Sequence, residues 1–220
     1  MTTALVTGAN RGIGLSLVRA LVLRGHDVIG TYRSSPGELA RIVGVRTERV
    51  DVADRASVLA LASRLEGVSL DLLINNAGVL SRQSLDELDE DEIRTQFEVN
   101  AMGPLRVTAA LVPLLAKGAR VGIVTSRMGS VADNTSGSHY GYRMSKAAVN
   151  IAGVSLACDL REQGISVALL HPGYVRTEMT GGRGLWGPDE AAAGLLARLD
   201  ETTLENTGRF VHADGTPLPW

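Results

Sequence analysis

The stretch Thr7-Gly8-Ala9-Asn10-Arg11-Gly12-Ile13-Gly14 decides the fold, because of what stands on either side of it. Before it, Ala4–Thr7 is a short apolar run of strand type; after it, Ile13–Arg24 carries apolar residues at helical spacing. A glycine-rich turn from a buried strand into a helix exposes backbone N–H groups at the helix N-terminus and keeps side chains out of the way. A dinucleotide pyrophosphate needs both. The glycines stand at 8, 12 and 14, unlike G-x-G-x-x-G, and taken alone such a turn is also compatible with no ligand. The strand before and the helix after argue for the cradle.

Outward from this turn, strand-like and helix-like stretches alternate to the end of the chain. Val28–Thr31, Arg49–Asp51, Leu70–Asn75, Arg120–Thr125, Ser166–Leu170 and Arg209–His212 read as further strands. Ser57–Leu65, Asp89–Leu115, Tyr142–Glu162 and Pro188–Leu199 read as helices between them, with Pro113 expected to bend or end the second of these. Strands apolar on both faces and separated by helices imply a parallel sheet covered on both sides. The expected fold is α/β: a doubly wound, Rossmann-type arrangement with a mostly parallel seven-stranded sheet and helices on both faces. One domain over residues 1–220 is expected, with ligands beyond the carboxyl ends of the strands.

Composition narrows the class. The 220 residues are 45% hydrophobic and 21% charged, ordinary for a globular protein, and the chain needs no staple. Cys158 is the only cysteine, so no intramolecular disulfide is possible, and its apolar neighbours suggest a small core residue. His26, His139, His171 and His212 lack ligand spacing, so no metal site is expected. A net charge of −2 gives no reason to invoke nucleic acid or an anionic membrane surface. No apolar run is long enough to span a bilayer, and Met1-Thr2-Thr3 leads straight into a strand without a signal-peptide pattern. A cytoplasmic location is the resulting expectation. The acidic stretch Asp86–Glu92 reads as a capped helix start, Asp89 being followed by Glu92 three residues on.

The second strand points to the cofactor. An NAD site places Asp or Glu at this strand's end to accept from the ribose 2′-OH. Here the end reads Gly30-Thr31-Tyr32-Arg33-Ser34, with no acid. The Arg33 guanidinium can pair with a 2′-phosphate through charge-assisted bonds, with Arg11 as a second cation and Ser34 as a donor. The expectation is NADP(H) in preference to NAD(H).

Tyr142-Arg143-Met144-Ser145-Lys146 opens a helical stretch and sets Tyr142 and Lys146 on one face, one turn apart. A phenol titrates near pH 10, too high for efficient acid–base work at neutrality, and a neighbouring ammonium is expected to lower it. Tyr-x-x-x-Lys alone is weak. Other groups join it: Ser126 ends the strand Arg120–Thr125, Asn75-Asn76-Ala77-Gly78 ends Leu70–Asn75, and Asn100 lies within the long helix, where it either has a role at the site or bonds local backbone.

Together, Thr-Gly-x-x-x-Gly-x-Gly, Asn-Asn-Ala-Gly, Asn100, Ser126 and Tyr-x-x-x-Lys resemble the short-chain dehydrogenase/reductase family, in its order and over nearly the whole chain. Ser126–Ser130, Ala132–Asn134 and Asp214–Trp220 are similar to the subgroup of C-factor and sniffer-type carbonyl reductases. The resemblance implies that Tyr142 donates a proton to the substrate oxygen, and that Lys146 lowers the tyrosine pKa and bonds the nicotinamide ribose. It implies that Ser126 orients the carbonyl and that Asn100 holds a water linking the lysine to solvent. By the same resemblance Gly8, Gly12 and Gly14 frame the pyrophosphate, Asn10, Arg11 and Ile13 in the same turn contact the cofactor, and Asp51 and Val52 lie beside adenine. Asn76, Ala77 and Gly78 run along the cofactor. Pro172, Gly173, Val175 and Thr177 lie near the nicotinamide. Ser126 stands further before Tyr142 than the family pattern has it, and Ser130 competes for its role. Ser126 is preferred because it follows the strand directly.

In the family, the segment after Thr177 is a substrate lid. Here residues 177–199 comprise a short glycine-rich stretch and a helix beginning at Pro188, which suggests a mobile cover over an open pocket. Met128, His139, Tyr140, Met179 and Trp186 are candidate lining residues, although Trp186 could equally pack without a ligand. No charged anchor for a substrate stands out. The implied activity is reduction of a small ketone, aldehyde or quinone to an alcohol by a homodimer or homotetramer. A non-catalytic NADP-binding signalling or sensor protein is the rival reading. An epimerase or dehydratase of the extended branch would need a larger C-terminal region.

Overall fold

The computed structural model describes residues 2–220. Seven strands, β1 (Thr3–Val6), β2 (Asp27–Tyr32), β3 (Val45–Arg49), β4 (Leu70–Asn75), β5 (Leu115–Val124), β6 (Ser166–His171) and β7 (Phe210–His212), form one sheet in the order β3-β2-β1-β4-β5-β6-β7. Every neighbouring pair is parallel. The order reverses between β1 and β4, which opens a crevice at their carboxyl ends.

Alternate side chains of the central strands feed two cores. Leu5, Leu73, Val121 and Ile123 meet α2 (Arg55–Arg64), α4 (Gly103–Leu111) and α5 (Tyr140–Asp159) through Leu61, Val107 and Val149. Ala4, Val6, Ile74 and Leu170 meet α1 (Gly12–Leu23) and α6 (Pro188–Asp200) through Leu17, Leu21 and Leu195. Burial on both faces is why these strands read as unbroken apolar runs. Among the described residues, no helix is long and apolar enough to cross a membrane.

Three expectations need correction. The third strand is Val45–Arg49, not Arg49–Asp51. As a partly exposed edge strand it tolerates Arg46, Glu48 and Arg49, so apolar content misplaced it. The long helix Asp89–Leu115 is instead α3 (Glu90–Phe97), a π-turn over Glu98–Met102, α4, and a 3₁₀ turn over Val112–Leu114 that contains Pro113 and leads into β5. Pro104 carries no N–H, and the Gly103 N–H before it reaches back five residues to Glu98 O. Cys158 is exposed rather than buried, because it falls seven residues after the exposed Ile151 on the outer face of α5.

Candidate active site

The glycine turn is built by steric necessity. Gly8 has φ +62° and Gly12 φ +53°, and a Cβ on Gly14 would stand 2.2 Å from Gly8 O. The Asn76 side chain donates to Thr7 O (3.0 Å) and Gly8 O (3.1 Å), while the backbone N–H groups of Asn76 and Ala77 donate to Thr7 Oγ1, each at 3.0 Å. Thr7 and Asn76 thus lace the ends of β1 and β4 together. Asn10 ties the turn to the end of β2 through Ser35 O (3.1 Å). Asp54 and Asp89 cap α2 and α3, whereas α1 has no side-chain cap and no acid in its first turn. An uncapped helix N-terminus beside a cleared glycine surface fits a dinucleotide pyrophosphate.

Beyond β2 and β3 lies an open cleft of about 970 Å³, bordered by Arg33, Ser34, Arg49, Asp51, Ser57 and Arg64. Arg33 and Ser34 are exposed there. The second cation beside Arg33 is Arg49, whose Nε donates to Arg33 O (3.0 Å). Arg11, expected in that role, instead pairs with Glu178 across the glycine turn at 2.6 Å. Arg49, expected to open the third strand, instead ends it beside Tyr32. Asp51 accepts from Ala53 N (3.0 Å), and Val52 is buried against Gly103.

At the carboxyl end of β5, Ser126 Oγ accepts from Met128 N (3.1 Å) and faces the phenol of Tyr142 in the first turn of α5. Burial pushes the Tyr142 phenol up to about 12, and the neighbouring Ser126 side chain works against it. Lys146 lies one turn on, its Nζ 5.7 Å from the Tyr142 ring centre and donating to Val124 O (2.9 Å). Burial draws the lysine down to about 8. The two groups share a face as the spacing requires, and the lysine is desolvated and engaged by a backbone carbonyl. Ser130 is directed elsewhere, accepting from Asp133 N at 3.1 Å.

Asn100 sits in the π-turn. Its Oδ1 accepts from Val79 N (2.8 Å), and its Nδ2 donates to Val79 O (2.9 Å) and Ser145 Oγ (3.0 Å). The Ser145 hydroxyl in turn donates to Tyr142 O (2.8 Å). The Asn100 amide therefore joins the β4 loop to α5. A Cβ on Gly78 would lie 3.2 Å from Asn100 Oδ1 and 3.8 Å from Lys146 Nζ.

Pro172 is buried, and Gly173 at φ +86° backs onto His212 and Trp186. Thr177 approaches the face of Gly12. The segment after it closes on itself: Val175 bridges to Trp186, Leu185 N donates to Tyr174 O (2.7 Å), and the Arg176 guanidinium donates to Gly184 O (3.2 Å) and Leu185 O (2.8 Å). The Trp186 ring stands edge-on to His212 at 5.4 Å and packs on the α1–α6 core, so it serves as an anchor of this segment. Met179 is exposed on a 3₁₀ turn, Met128 adjoins Ser126, and His139 and Tyr140 are half-buried at the start of α5. His171 lies beside Pro172; burial, then the neighbouring His212, lowers it to about 3.

A parallel doubly wound sheet with this tyrosine, serine and lysine beside a dinucleotide cradle defines a nicotinamide-dependent oxidoreductase. The short chain dehydrogenase family model matches residues 2–186, and the chain belongs to the short-chain dehydrogenase/reductase family. It is 48% identical to the 1-hydroxy-2-glutathionyl-2-methyl-3-butene dehydrogenase of Rhodococcus sp. (strain AD45) over 227 aligned residues, covering 100% of both chains. It is 47% identical to the C-signal of Myxococcus xanthus over 154 residues, 69% of this chain and 93% of that one. The NADPH-bound carbonyl reductase from chicken fatty liver superposes with a TM-score of 0.93 at 31% identity, covering 100% of this chain and 98% of that one.

Proposed function

We propose that this oxidoreductase uses NADPH in preference to NADH to reduce a ketone, aldehyde or quinone to an alcohol, with Tyr142 as proton donor. The observation that carries the proposal is the buried Tyr142 phenol facing Ser126 at the end of β5, with Lys146 one turn along α5. NADPH, when bound, supplies the hydride. A phenol held near 12 stays protonated at neutral pH, so its proton is available to an oxygen that gains charge. Ser126 orients that oxygen with its hydroxyl. Lys146, near 8, exchanges protons close to neutrality and can restore the phenol. Gly8, Gly12 and Gly14 take the pyrophosphate, and Arg33 with Ser34 takes a 2′-phosphate.

The name of the 48% relative sets an alcohol beside a glutathionyl thioether, so hydroxy thioethers and their carbonyl forms join the candidate substrates. Residues 177–199 serve as the substrate cover. An apolar groove of about 450 Å³ on the outer face of α5, lined by Val131, Ile151, Val154, Cys158 and Trp220, supports a homodimer or homotetramer built on that helix. The site of action is the cytoplasm. A non-catalytic signalling role is not favoured, because Ser126, Tyr142 and Lys146 are all retained. NADPH oxidation over a panel of ketones, aldehydes and quinones, with an NADH arm, tests the proposal. Tyr142→Phe should lower kcat by roughly 10²–10⁴. Tight NADPH binding with no turnover of any carbonyl would favour the sensor instead.

A further inference from the structure

The wall of this site points to the charge of its substrate. The segment between β4 and α3 runs past Lys146 and the start of α5, the helix that carries Tyr142. At one end a Cβ on Gly78 would lie 3.8 Å from Lys146 Nζ. At the other end Gln83 is buried and accepts from Gly141 N (3.2 Å) through its side chain and from His139 N (2.8 Å) through its backbone. Ser81 N donates to Gln96 Oε1 (3.0 Å), so the stretch is docked on both sides of Arg82. Arg82 itself is exposed, and among the described residues it makes no ion pair.

A second guanidinium stands close by. Arg143 donates to Gly137 O (3.0 Å), Ser138 O (3.1 Å), Met128 O (3.4 Å) and Ser136 Oγ (2.8 Å), all uncharged acceptors, so no carboxylate neutralises it. Asp133, on the neighbouring loop, is already paired with Arg127 at 2.7 Å. Asp86 and Glu87, further along the Arg82 loop, are exposed and form no pair with it.

His139, whose backbone N–H docks on Gln83 O, feels the charge of both arginines. It is held there by left-handed backbone at Ser138 (φ 52°) and His139 (φ 54°), a conformation that residues bearing a Cβ rarely adopt. The two residues stand directly before the helix that carries Tyr142. Burial first, then Arg143 and Arg82, keep the imidazole below its ordinary value, so it adds a hydrogen-bonding tip without a third charge.

Building on the oxidoreductase reading above, we propose that the substrate carries a carboxylate tail held by Arg82 at the rim, while its reacting carbon faces Tyr142 and Ser126. A glutathione thioether bearing an alcohol or aldehyde has this build: a reactive centre on the sulfur substituent and carboxylates at the ends of a short peptide. The guanidinium fork matches a carboxylate in two parallel hydrogen bonds, which a neutral ketone cannot use.

The test uses the NADPH-loaded enzyme. Reduction of 4-formylbenzoate is compared with that of its methyl ester, and inhibition by S-hexylglutathione with inhibition by its dimethyl ester. The wild type should favour the acid over the ester by about tenfold in kcat/KM, the effect of one charge-assisted pair. Arg82→Ala should bring the ratio to about one, Arg82→Lys should restore part of it, and Arg82→Glu should invert it. S-hexylglutathione should lose potency in the same order. NADPH binding to each variant verifies that it is folded. A wild-type ratio near one, or a ratio unmoved by Arg82→Glu, overturns the carboxylate site while leaving the reductase reading intact. Carboxylate-dependent binding of S-hexylglutathione without turnover of any carbonyl does the opposite, keeping the anion site and overturning the reductase reading.

Discussion

Replacing Lys146 with methionine should make the cofactor-free protein more stable at neutral pH and remove its NADPH-dependent turnover. The ammonium is 5% exposed, and burial draws its pKa from 10.5 to about 8. That difference of about 2.5 pH units, at about 1.4 kcal/mol each, is about 3.4 kcal/mol against the folded state wherever both states are charged. Methionine removes this cost but leaves Val124 O without the Nζ donor at 2.9 Å. Losing that donor costs about 2 kcal/mol. The net gain at pH 7 is about 1–2 kcal/mol, or about 3–6 °C in Tm for a chain of this length.

The sign follows from the depressed pKa. The lysine's contribution is fully present above the unfolded value of 10.5 and is lost as pH falls through about 8. The variant's advantage should therefore hold up to about pH 8, shrink above it, and change sign near about pH 9, where the wild type keeps its bond to Val124. Tyr142 is present in both proteins, so its raised pKa cancels in the difference. Thermal unfolding of both proteins between pH 7 and 10.5, without nucleotide, measures the gap. A variant less stable than wild type at pH 7, or a gap that does not change with pH, would refute the reasoning.

Two further outcomes follow from the site. Arg33→Ala should lower the ratio of kcat/KM for NADPH over NADH by roughly 10–100-fold, the value of one charge-assisted contact to phosphate. An unchanged ratio, measured by steady-state kinetics with both nucleotides, would move the selectivity to Arg49. Ser126→Ala should reduce kcat by at least about tenfold, whereas Ser130→Ala, which loses the bond from Asp133 N, should lower stability by about 1 kcal/mol and spare most turnover. Denaturant titration alongside the kinetics separates the two, and a reversed pattern would assign the carbonyl to Ser130.

The parts of the fold visible in the primary structure were those with a local physical cause. Gly8, Gly12 and Gly14 stand where backbone must approach backbone, and the runs at Leu70–Asn75 and Ser166–His171 are apolar because helices cover both faces of their strands. Elements with a weaker local signature were misplaced. The edge strand β3 carries three charged residues among its five, and the break at Glu98–Met102 depends on how Gly103-Pro104 redirects one hydrogen bond. Cys158 looked like core because the apolar content of α5 does not reveal which of its faces lacks a neighbour.

The site divides along the same line. Tyr142 and Lys146 could be paired from their spacing, since helix geometry alone puts residues four apart on one face. The missing acid after Tyr32 was likewise enough to raise a 2′-phosphate, because one strand end supplies that contact. Contacts between distant segments had no such local signal. Arg11 turned to Glu178, 167 residues away, and Arg49 came beside Arg33 through strand pairing. Arg82 came within electrostatic reach of His139 only once the loop after β4 docked on α5. Periodicity and steric demand act within a few residues and can be read along the chain. Which charges share a cleft, and whether a buried ammonium meets a phenol or a carbonyl, depends on packing between segments far apart in sequence, and only the folded molecule decides it.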